Sequence, residues 1–194
     1  MKSKMKLLCR FFAVVIAVFC AASCVPGPGD DTYVSWLRDY KNGMHVRHLQ
    51  NDLAFDLQFQ PSEFVWMQRN GKFDEKAFEA ERADIDQLQY FTLNIYSSDG
   101  KNDVLIQRAN GDAERTKELM YYFSYRFSDD ISIDDAGKQL PCALYHYEQN
   151  GTRAFVLAFQ KGAEPKSDVT LTINSSVIDS VPVRIKVSTT AKVL

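Results

Sequence analysis

The sequence contains little cysteine and little histidine. Its 194 residues include four cysteines and three histidines. Cys9, Cys20 and Cys24 fall within the first 24 residues, so Cys142 is the only cysteine in the rest of the chain. A single cysteine excludes a disulfide within that part, and its stability must come from packing. A zinc site needs about three or four protein ligands, and the sequence has no thiol and imidazole cluster of that size.

An excess of basic residues is also absent. The chain has 23 Lys and Arg against 25 Asp and Glu, a formal net charge of -2. Residues 1–23 hold four of the basic residues and none of the acidic ones, so the remaining 171 residues carry a net charge of -6. This balance argues against a nucleic-acid partner, which requires clustered Lys and Arg. It also provides no attraction for anionic lipid head groups.

The sequence lacks an apolar run long enough to cross a membrane, which takes roughly 20 residues. Its N-terminal stretch Phe11–Ala22 has twelve residues without a charge. This stretch follows a basic start, formed by Lys2, Lys4, Lys6 and Arg10. A basic start and a short apolar stretch, followed by small residues, are typical of a signal peptide.

The residues Ala21-Ala22-Ser23-Cys24 close this segment. The arrangement resembles a bacterial lipoprotein signal with its lipobox, although Ala21 stands where that family prefers Leu. The resemblance implies removal of residues 1–23, lipidation of Cys24 and anchoring in the cell envelope, on the outer membrane, the cell surface or the periplasmic face. Two or three acyl chains would hold the protein stably on the membrane. The alternative is an ordinary secretory signal that is cut near Ala22.

The next residues, 24–32, contain two prolines and two glycines and predict a flexible tether. Its acidic end, Asp30-Asp31, resembles the export tag of Bacteroidetes-type surface lipoproteins; the alternative is a soluble spacer. Residues 33–194 are long enough for a single β-rich domain with a real core.

The strongest structural signal is a hairpin. Leu140–Glu148 and Arg153–Gln160 are strand-like, and Asn150-Gly151 between them favours a two-residue type I′ turn. Pairing outward from that turn places His146 opposite Phe155 and a Glu148–Arg153 ion pair near the tip. Cys142 and Leu144 would then share a face with Leu157 and Phe159.

Alternating apolar and polar residues predict further strands at 55–60, 169–174 and 183–188, and strands are also expected at 64–68, 91–97 and 125–133. Helices are predicted at 74–89 and 112–122, the latter with Asp112 as its N-cap. The predicted fold class is mostly β, an antiparallel β-sandwich with two inserted helices. An α+β sheet with helices on one face is the alternative.

Histidine and cysteine provide weak candidates for chemistry. His45 and His48 are three residues apart in a strand-like or turn-like segment, which would send them to opposite faces. Cys142 and His146 would lie about 13 Å apart along one strand, too far for a nucleophile and its base. We therefore predict no catalytic residue, no metal site and no cofactor, with Cys142 as a small buried hydrophobe.

Asp129, Asp130, Asp134 and Asp135 lie close together in sequence. Their spacing matches no EF-hand loop, and residues 134–137 are better interpreted as a hairpin turn.

The chain is rich in aromatic residues, which could stack on flat sugar faces if they were exposed. The candidates are Trp66, Tyr122, Tyr145 and Tyr147, and the competing interpretation is core packing.

No nucleophile elbow, phosphate-binding loop or dinucleotide fingerprint occurs in the sequence. The sequence therefore favours a non-enzymatic, lipid-anchored protein of the cell envelope. Its partners would be the membrane, through the lipid on Cys24, and a protein or glycan. The alternative is a lipid-anchored hydrolase with a carboxylate-based site.

Overall fold

A computed structural model describes residues 26–148, 154–162 and 168–190. The predicted signal peptide, the lipidation candidate Cys24 and the predicted Asn150-Gly151 turn lie outside the described residues. No helix within these ranges is long and apolar enough to cross a membrane.

The strands make up most of the fold. They are β1 (His45–Gln50), β2 (Leu53–Gln60), β3 (Leu88–Ser97), β4 (Ile131–Asp135), β5 (Lys138–Tyr147), β6 (Phe155–Gln160), β7 (Asp168–Ile173) and β8 (Val183–Ser188). All neighbouring pairs are antiparallel, in the order β1-β2-β3-β6-β5-β4-β7-β8. The predicted class, mostly antiparallel β, is confirmed. The strands form one continuous sheet, however, and not the two separate sheets of the predicted sandwich.

The sheet curls because β5 changes partner along its length. Residues 138–141 pair with β4, whereas residues 142–147 pair with β6. At the other side of the curl the edge strands β1 and β8 come together, and the Ser188 N–H donates to the Gly43 carbonyl over 3.0 Å. The curled sheet therefore has an inner face that encloses the main core, and an outer face that carries polar side chains except where Tyr90 and Ala158 are buried against helices.

The inner face holds a core rich in phenylalanine. Six phenylalanines are fully buried: Phe55, Phe91, Phe123, Phe127, Phe155 and Phe159. Aliphatic residues of β4, β7 and β8 pack against them. This alternation of buried and exposed residues confirms the strands predicted at 55–60, 91–97, 169–174 and 183–188.

Within the described residues the chain forms five α-helices, three more than the sequence predicted. They are α1 (Tyr33–Leu37), α2 (Ser62–Asn70), α3 (Glu75–Ile85), α4 (Val104–Ala109) and α5 (Ala113–Tyr125). The two predicted helices correspond to α3 and α5. As predicted, Asp112 caps α5 by accepting a hydrogen bond from the Arg115 N–H at 2.9 Å.

The strand predicted at 64–68 is wrong, because these residues belong to α2. Phe64, Val65 and Trp66 are consecutive and all buried, which resembles a buried strand in the sequence. The helix buries all three because it is covered on two sides. Phe64 packs with α1, and Val65 and Trp66 pack in a cluster formed with α3, β3 and β6. The strand predicted at 125–133 is also partly wrong, since residues 127–130 form a 3₁₀ turn and β4 begins at Ile131.

The predicted hairpin exists, but its register is wrong along most of β5. Cys142 does lie opposite Phe159, yet a bulge between Cys142 and Leu144 shifts the pairing by one residue. Tyr147 therefore lies opposite Phe155 and His146 opposite Val156. The shift turns Leu144 away from the core and leaves its side chain 55% exposed.

Candidate functional site

The outer face of the sheet carries a groove above β6. Three small residues point outward along β6. They are Val156 and Ala158 within the strand and Ala154 just before it. The neighbouring strands present longer side chains in the same rows. Thr92 of β3 and His146 of β5 both lie opposite Val156, and Gln58 of β2 lies opposite Thr92. Small side chains between longer ones produce a depression that follows β6.

The groove has a polar part of about 660 Å³. Its floor holds Asp56, Gln58, Thr92, Asn94 and Val156, and its rim holds Arg38, His45, Phe64, Gln68 and Glu148. We call this part the polar cavity. Helix α2 forms one wall, since its residues Phe64 and Gln68 line this cavity.

An apolar part of about 400 Å³ continues the groove. Val65, Tyr90, Leu144, Val156 and Ala158 provide its apolar surface, and Gln60, Gln68, Arg69, Tyr145 and His146 complete it. We call this part the apolar cavity. Gln60, Gln68 and Val156 line both cavities, so the two parts form one continuous groove.

The Asp56 carboxylate is half-buried in the polar cavity, and both of its oxygens accept hydrogen bonds from neighbouring side chains. Arg47 donates to it twice, from Nε over 3.1 Å and from Nη2 over 3.2 Å. The Tyr40 hydroxyl donates over 3.2 Å, and the Tyr96 hydroxyl also donates to it. Burial raises the pKa of Asp56, but the hydrogen bonds from Arg47 and Tyr96 outweigh burial and lower it overall. Asp56 is therefore an ionised structural group, unsuited to act as a general acid at neutral pH.

Other groups in the polar cavity have unused hydrogen-bonding capacity. His45 stacks on Tyr40, with ring centroids 4.1 Å apart, and its Nδ1 lies 2.8 Å from the Arg38 carbonyl. A carbonyl only accepts, so Nδ1 carries a proton, and Nε2 makes no hydrogen bond to another described residue. The Asn94 side chain makes no hydrogen bond to any described residue, and its Oδ1 is buried without a partner. Amide and imidazole groups with unpaired donors or acceptors can form hydrogen bonds to a polar ligand.

The sequence candidates for nucleophilic chemistry are not brought together. Cys142 is half-buried, and its thiol donates to the Leu144 carbonyl over 3.0 Å. Burial raises the pKa of Cys142 to about 11, so the reactive thiolate is scarce at neutral pH. His146 is exposed on the outer face. His45 and His48 lie on β1, where their spacing places them on opposite faces, as predicted. Among the residues described, no group of three His, Cys, Asp or Glu could hold a metal ion.

The four clustered aspartates belong to separate networks. Asp129 pairs with Arg126 at 3.1 Å, and Asp130 accepts a hydrogen bond from Tyr122. Asp134 accepts from the Gly137 N–H at 2.8 Å, within a turn in which Ala136 and Gly137 both have positive φ. That hairpin turn was predicted and is confirmed. Asp135 is buried and accepts from the Gln89 amide over 3.2 Å.

The four candidate aromatic residues serve packing and do not form one surface. Trp66 and Tyr147 are buried, which removes them from the side chains on which a sugar could stack. Trp66 packs against Phe73 and Phe78, and Tyr147 stacks on Phe155. Tyr122 and Tyr145 are half-buried, with their hydroxyls bonded to Asp130 and to the Phe123 carbonyl respectively. Of the four, only Tyr145 lines the groove.

Sequence reasoning missed two features of the surface. Tyr121 and Tyr125 are 61% and 68% exposed on α5, with ring centroids 5.2 Å apart. The helical period around buried Leu119 and Phe123 predicts this outward pair. The groove itself was also missed. Its signal is the Ala-x-Val-x-Ala pattern of residues 154–158, but its location depends on which strands flank β6.

Comparisons with known proteins identify no family for this chain. No family model matches it, and no curated protein matches it. Among solved structures, it is similar to a DUF4426 family protein from Pseudomonas aeruginosa, with 9% sequence identity and a TM-score of 0.39. The alignment covers 77% of this chain and 97% of that protein. A similarity this distant carries no conclusion about what the chain does.

Proposed function

We propose that this protein is a lipid-anchored binding protein of the cell envelope and that its ligand, a protein or a glycan, binds in the groove above β6. The observation that carries the proposal is the groove itself. It is continuous, it has a floor of small side chains, and its polar part offers unused amide and imidazole groups. Concave sites with a few uncommitted polar groups are the usual form of ligand sites.

The envelope part of the proposal rests on the sequence around Cys24. The basic start, the short apolar stretch and the small residues before the cysteine support export and lipidation. The acidic balance of the remaining chain is compatible with anchoring by lipid, since it supplies no electrostatic attraction to anionic membranes.

A hydrolase with a carboxylate-based site receives less support from the groove. Two carboxylates, those of Asp56 and Glu148, line the polar cavity. Asp56 is held by Arg47 and has a lowered pKa, whereas an acid catalyst needs a raised one. The single free thiol of the described residues, Cys142, does not line the groove.

The test is to fill the groove and measure binding. Val156 lines both cavities, so Val156→Trp places a large ring in their shared floor. Thr170→Trp is the matched control. Thr170 is also a β-branched outward residue of a strand, but it lies on β7 between Asp134 and Lys186.

The probes are a panel of oligosaccharides and a library of displayed peptides. We expect ligands selected on the natural protein to lose binding to Val156→Trp and to keep binding to Thr170→Trp. Thermal unfolding of both variants checks that each is folded. Ligands that bind folded Val156→Trp as well as the natural protein would refute the assignment of the groove.

A further inference from the structure

We propose that the groove takes an extended peptide, with one apolar side chain in the apolar cavity and an acidic side chain next to it, against Arg69. This inference rests on the proposed function, because it names the ligand class of the same groove. It is carried by the repeat of the groove floor, by the burial of its aromatic rings and by the charge at its apolar end.

The floor repeats at the spacing of an extended chain. Outward residues along β3 and β6 alternate with core residues, so Tyr90, Thr92 and Asn94 follow one another about every 6.6 Å, as do Ala154, Val156 and Ala158. An extended peptide lying along β6 presents every second residue to the floor at the same spacing. Its alternate side chains therefore meet successive rows of the floor, polar at Thr92 and Asn94 and apolar at Tyr90 and Ala158.

The polar groups of the groove suit a peptide backbone. Gln58 already donates to the Leu37 carbonyl over 3.4 Å, and Thr92 accepts a hydrogen bond from the Gln60 amide. The Gln58 side-chain oxygen, the Thr92 hydroxyl proton and the Asn94 amide are left to accept and donate hydrogen bonds to a ligand. A peptide backbone needs both kinds of partner, because each residue other than proline offers one N–H and one C=O. The small side chains at positions 154 and 156 leave room for that backbone to approach the sheet.

The aromatic rings of the groove are unavailable for sugar stacking. Phe64 and Tyr90, which line its two cavities, are each only 8% exposed. Tyr145, which also lines the apolar cavity, is half-buried, and one face of its ring stacks on Phe155 with ring centroids 6.2 Å apart. A sugar stacks on the open face of a ring, and these rings are covered by neighbouring side chains of the helices and the sheet. The described part of the groove thus favours a peptide over a glycan.

The apolar cavity is built to receive an aliphatic or aromatic side chain. Leu144, at its edge, is 55% exposed because of the bulge in β5. A ligand side chain placed between Leu144, Val65 and Val156 would remove this apolar surface from water. The removal of apolar surface from water favours association, so this side chain would anchor the peptide.

The charge beside the apolar cavity determines which ligand residue should follow the apolar anchor. Arg69 is exposed at its rim and has no acidic partner within the described residues. His146 also lines this cavity, whereas Asp56 and Glu148 line the polar one. An acidic side chain beside the apolar anchor would therefore meet a free cation.

The experiment is a selection of random decapeptides, displayed on phage, against the full chain purified in detergent. We expect enriched peptides to carry an apolar residue next to Asp or Glu. Each enriched peptide is then synthesised, and its Kd is measured by fluorescence anisotropy. We expect Arg69→Glu to weaken binding about fivefold or more, and a repeated selection on that variant to prefer Lys or Arg at the same position. The control is Arg184→Glu, an exposed arginine on β8, which should leave the Kd unchanged.

The outcomes separate this inference from the proposed function. Enriched peptides that lack an acid, or that bind Arg69→Glu unchanged, overturn the inference. Failure to enrich any peptide also overturns it. If oligosaccharides then bind the natural protein and are lost in Val156→Trp, the groove remains a binding site and its ligand is a glycan. If enriched peptides bind folded Val156→Trp unchanged, both proposals fail.

Discussion

The ionised network around Asp56 gives a prediction for stability. Asp56→Asn keeps the size of the side chain but removes its charge. It therefore weakens the double contact with Arg47 and the hydrogen bonds from Tyr40 and Tyr96. The arginine is about half exposed, so its pair contributes about 1 kcal/mol or less. The hydroxyl bonds to a charged acceptor contribute about 1–2 kcal/mol together after the partial exposure is taken into account. We expect the free energy of unfolding to fall by about 2 kcal/mol at pH 7.

The loss must depend on pH in a particular direction. The folded-state pKa of Asp56 is lowered, so its stabilising effect is fully present above the unfolded pKa of about 3.9. It disappears as the pH falls through the folded pKa, because protonated Asp56 resembles the asparagine.

Urea unfolding of both proteins from pH 7 down to the lowest pH at which they fold measures this difference. Asp84→Asn, at an exposed position on α3, is the control and should change little. A variant as stable as the natural protein at pH 7, or a difference that grows as the pH falls, would refute the reasoning.

Three further predictions follow from other parts of the molecule. Cys142 should react slowly with a thiol reagent in the folded mature protein and at the rate of a free cysteine in denaturant, because burial raises its pKa to about 11; fast labelling of the native protein would contradict this. Gly162→Ala should destabilise the fold by about 1–3 kcal/mol in urea unfolding, since an added Cβ would lie 2.8 Å from the Asp135 carboxylate. The control is Gly29→Ala, which should not destabilise the fold, because no atom lies within 4 Å of the added Cβ. If Gly162→Ala were as stable as the natural protein, Asp135 would have moved aside and the prediction would be wrong. Cys24→Ala should abolish labelling with a fatty-acid analogue and release the protein from membranes, and retained attachment would contradict lipidation.

Local patterns predicted much of the fold. Strand β7 alternates strictly between buried and less buried residues, and β2, β3 and β8 do so over most of their length, so their residues reveal one buried face. Helices α3 and α5 begin at aspartates that cap them, and their sequences favour helix. In these elements the tertiary structure agrees with the local preference.

The errors occur where tertiary contacts decide the structure. The apolar run Phe64-Val65-Trp66 is buried in α2 because α1, α3 and the strands β3 and β6 cover different sides of it. The bulge after Cys142 lies where β5 leaves β4 and joins β6, and the apolar residues on both faces of β5 do not reveal the register from the sequence.

The groove could not be predicted from the sequence, because its location also depends on tertiary contacts. Residues 154–158 show small outward side chains, but the chain itself does not reveal that β3 and β5 flank them or that α2 forms a wall. The four aromatic candidates were chosen by residue type, and burial turned out to decide their role. Exposed Tyr121 and Tyr125, in contrast, could have been found from the period of α5.

The location of the ligand tests the central claim most directly. The best-binding ligand from either panel is titrated into isotope-labelled protein, and the shifts of backbone amide and side-chain methyl signals are followed by NMR. The account predicts that the largest shifts fall on groove residues, including Asn94, Leu144 and Val156, and that Thr170 and Thr172 on β7 stay unchanged. Largest shifts on β7 and β8, with Asn94 and Val156 unmoved, would contradict it.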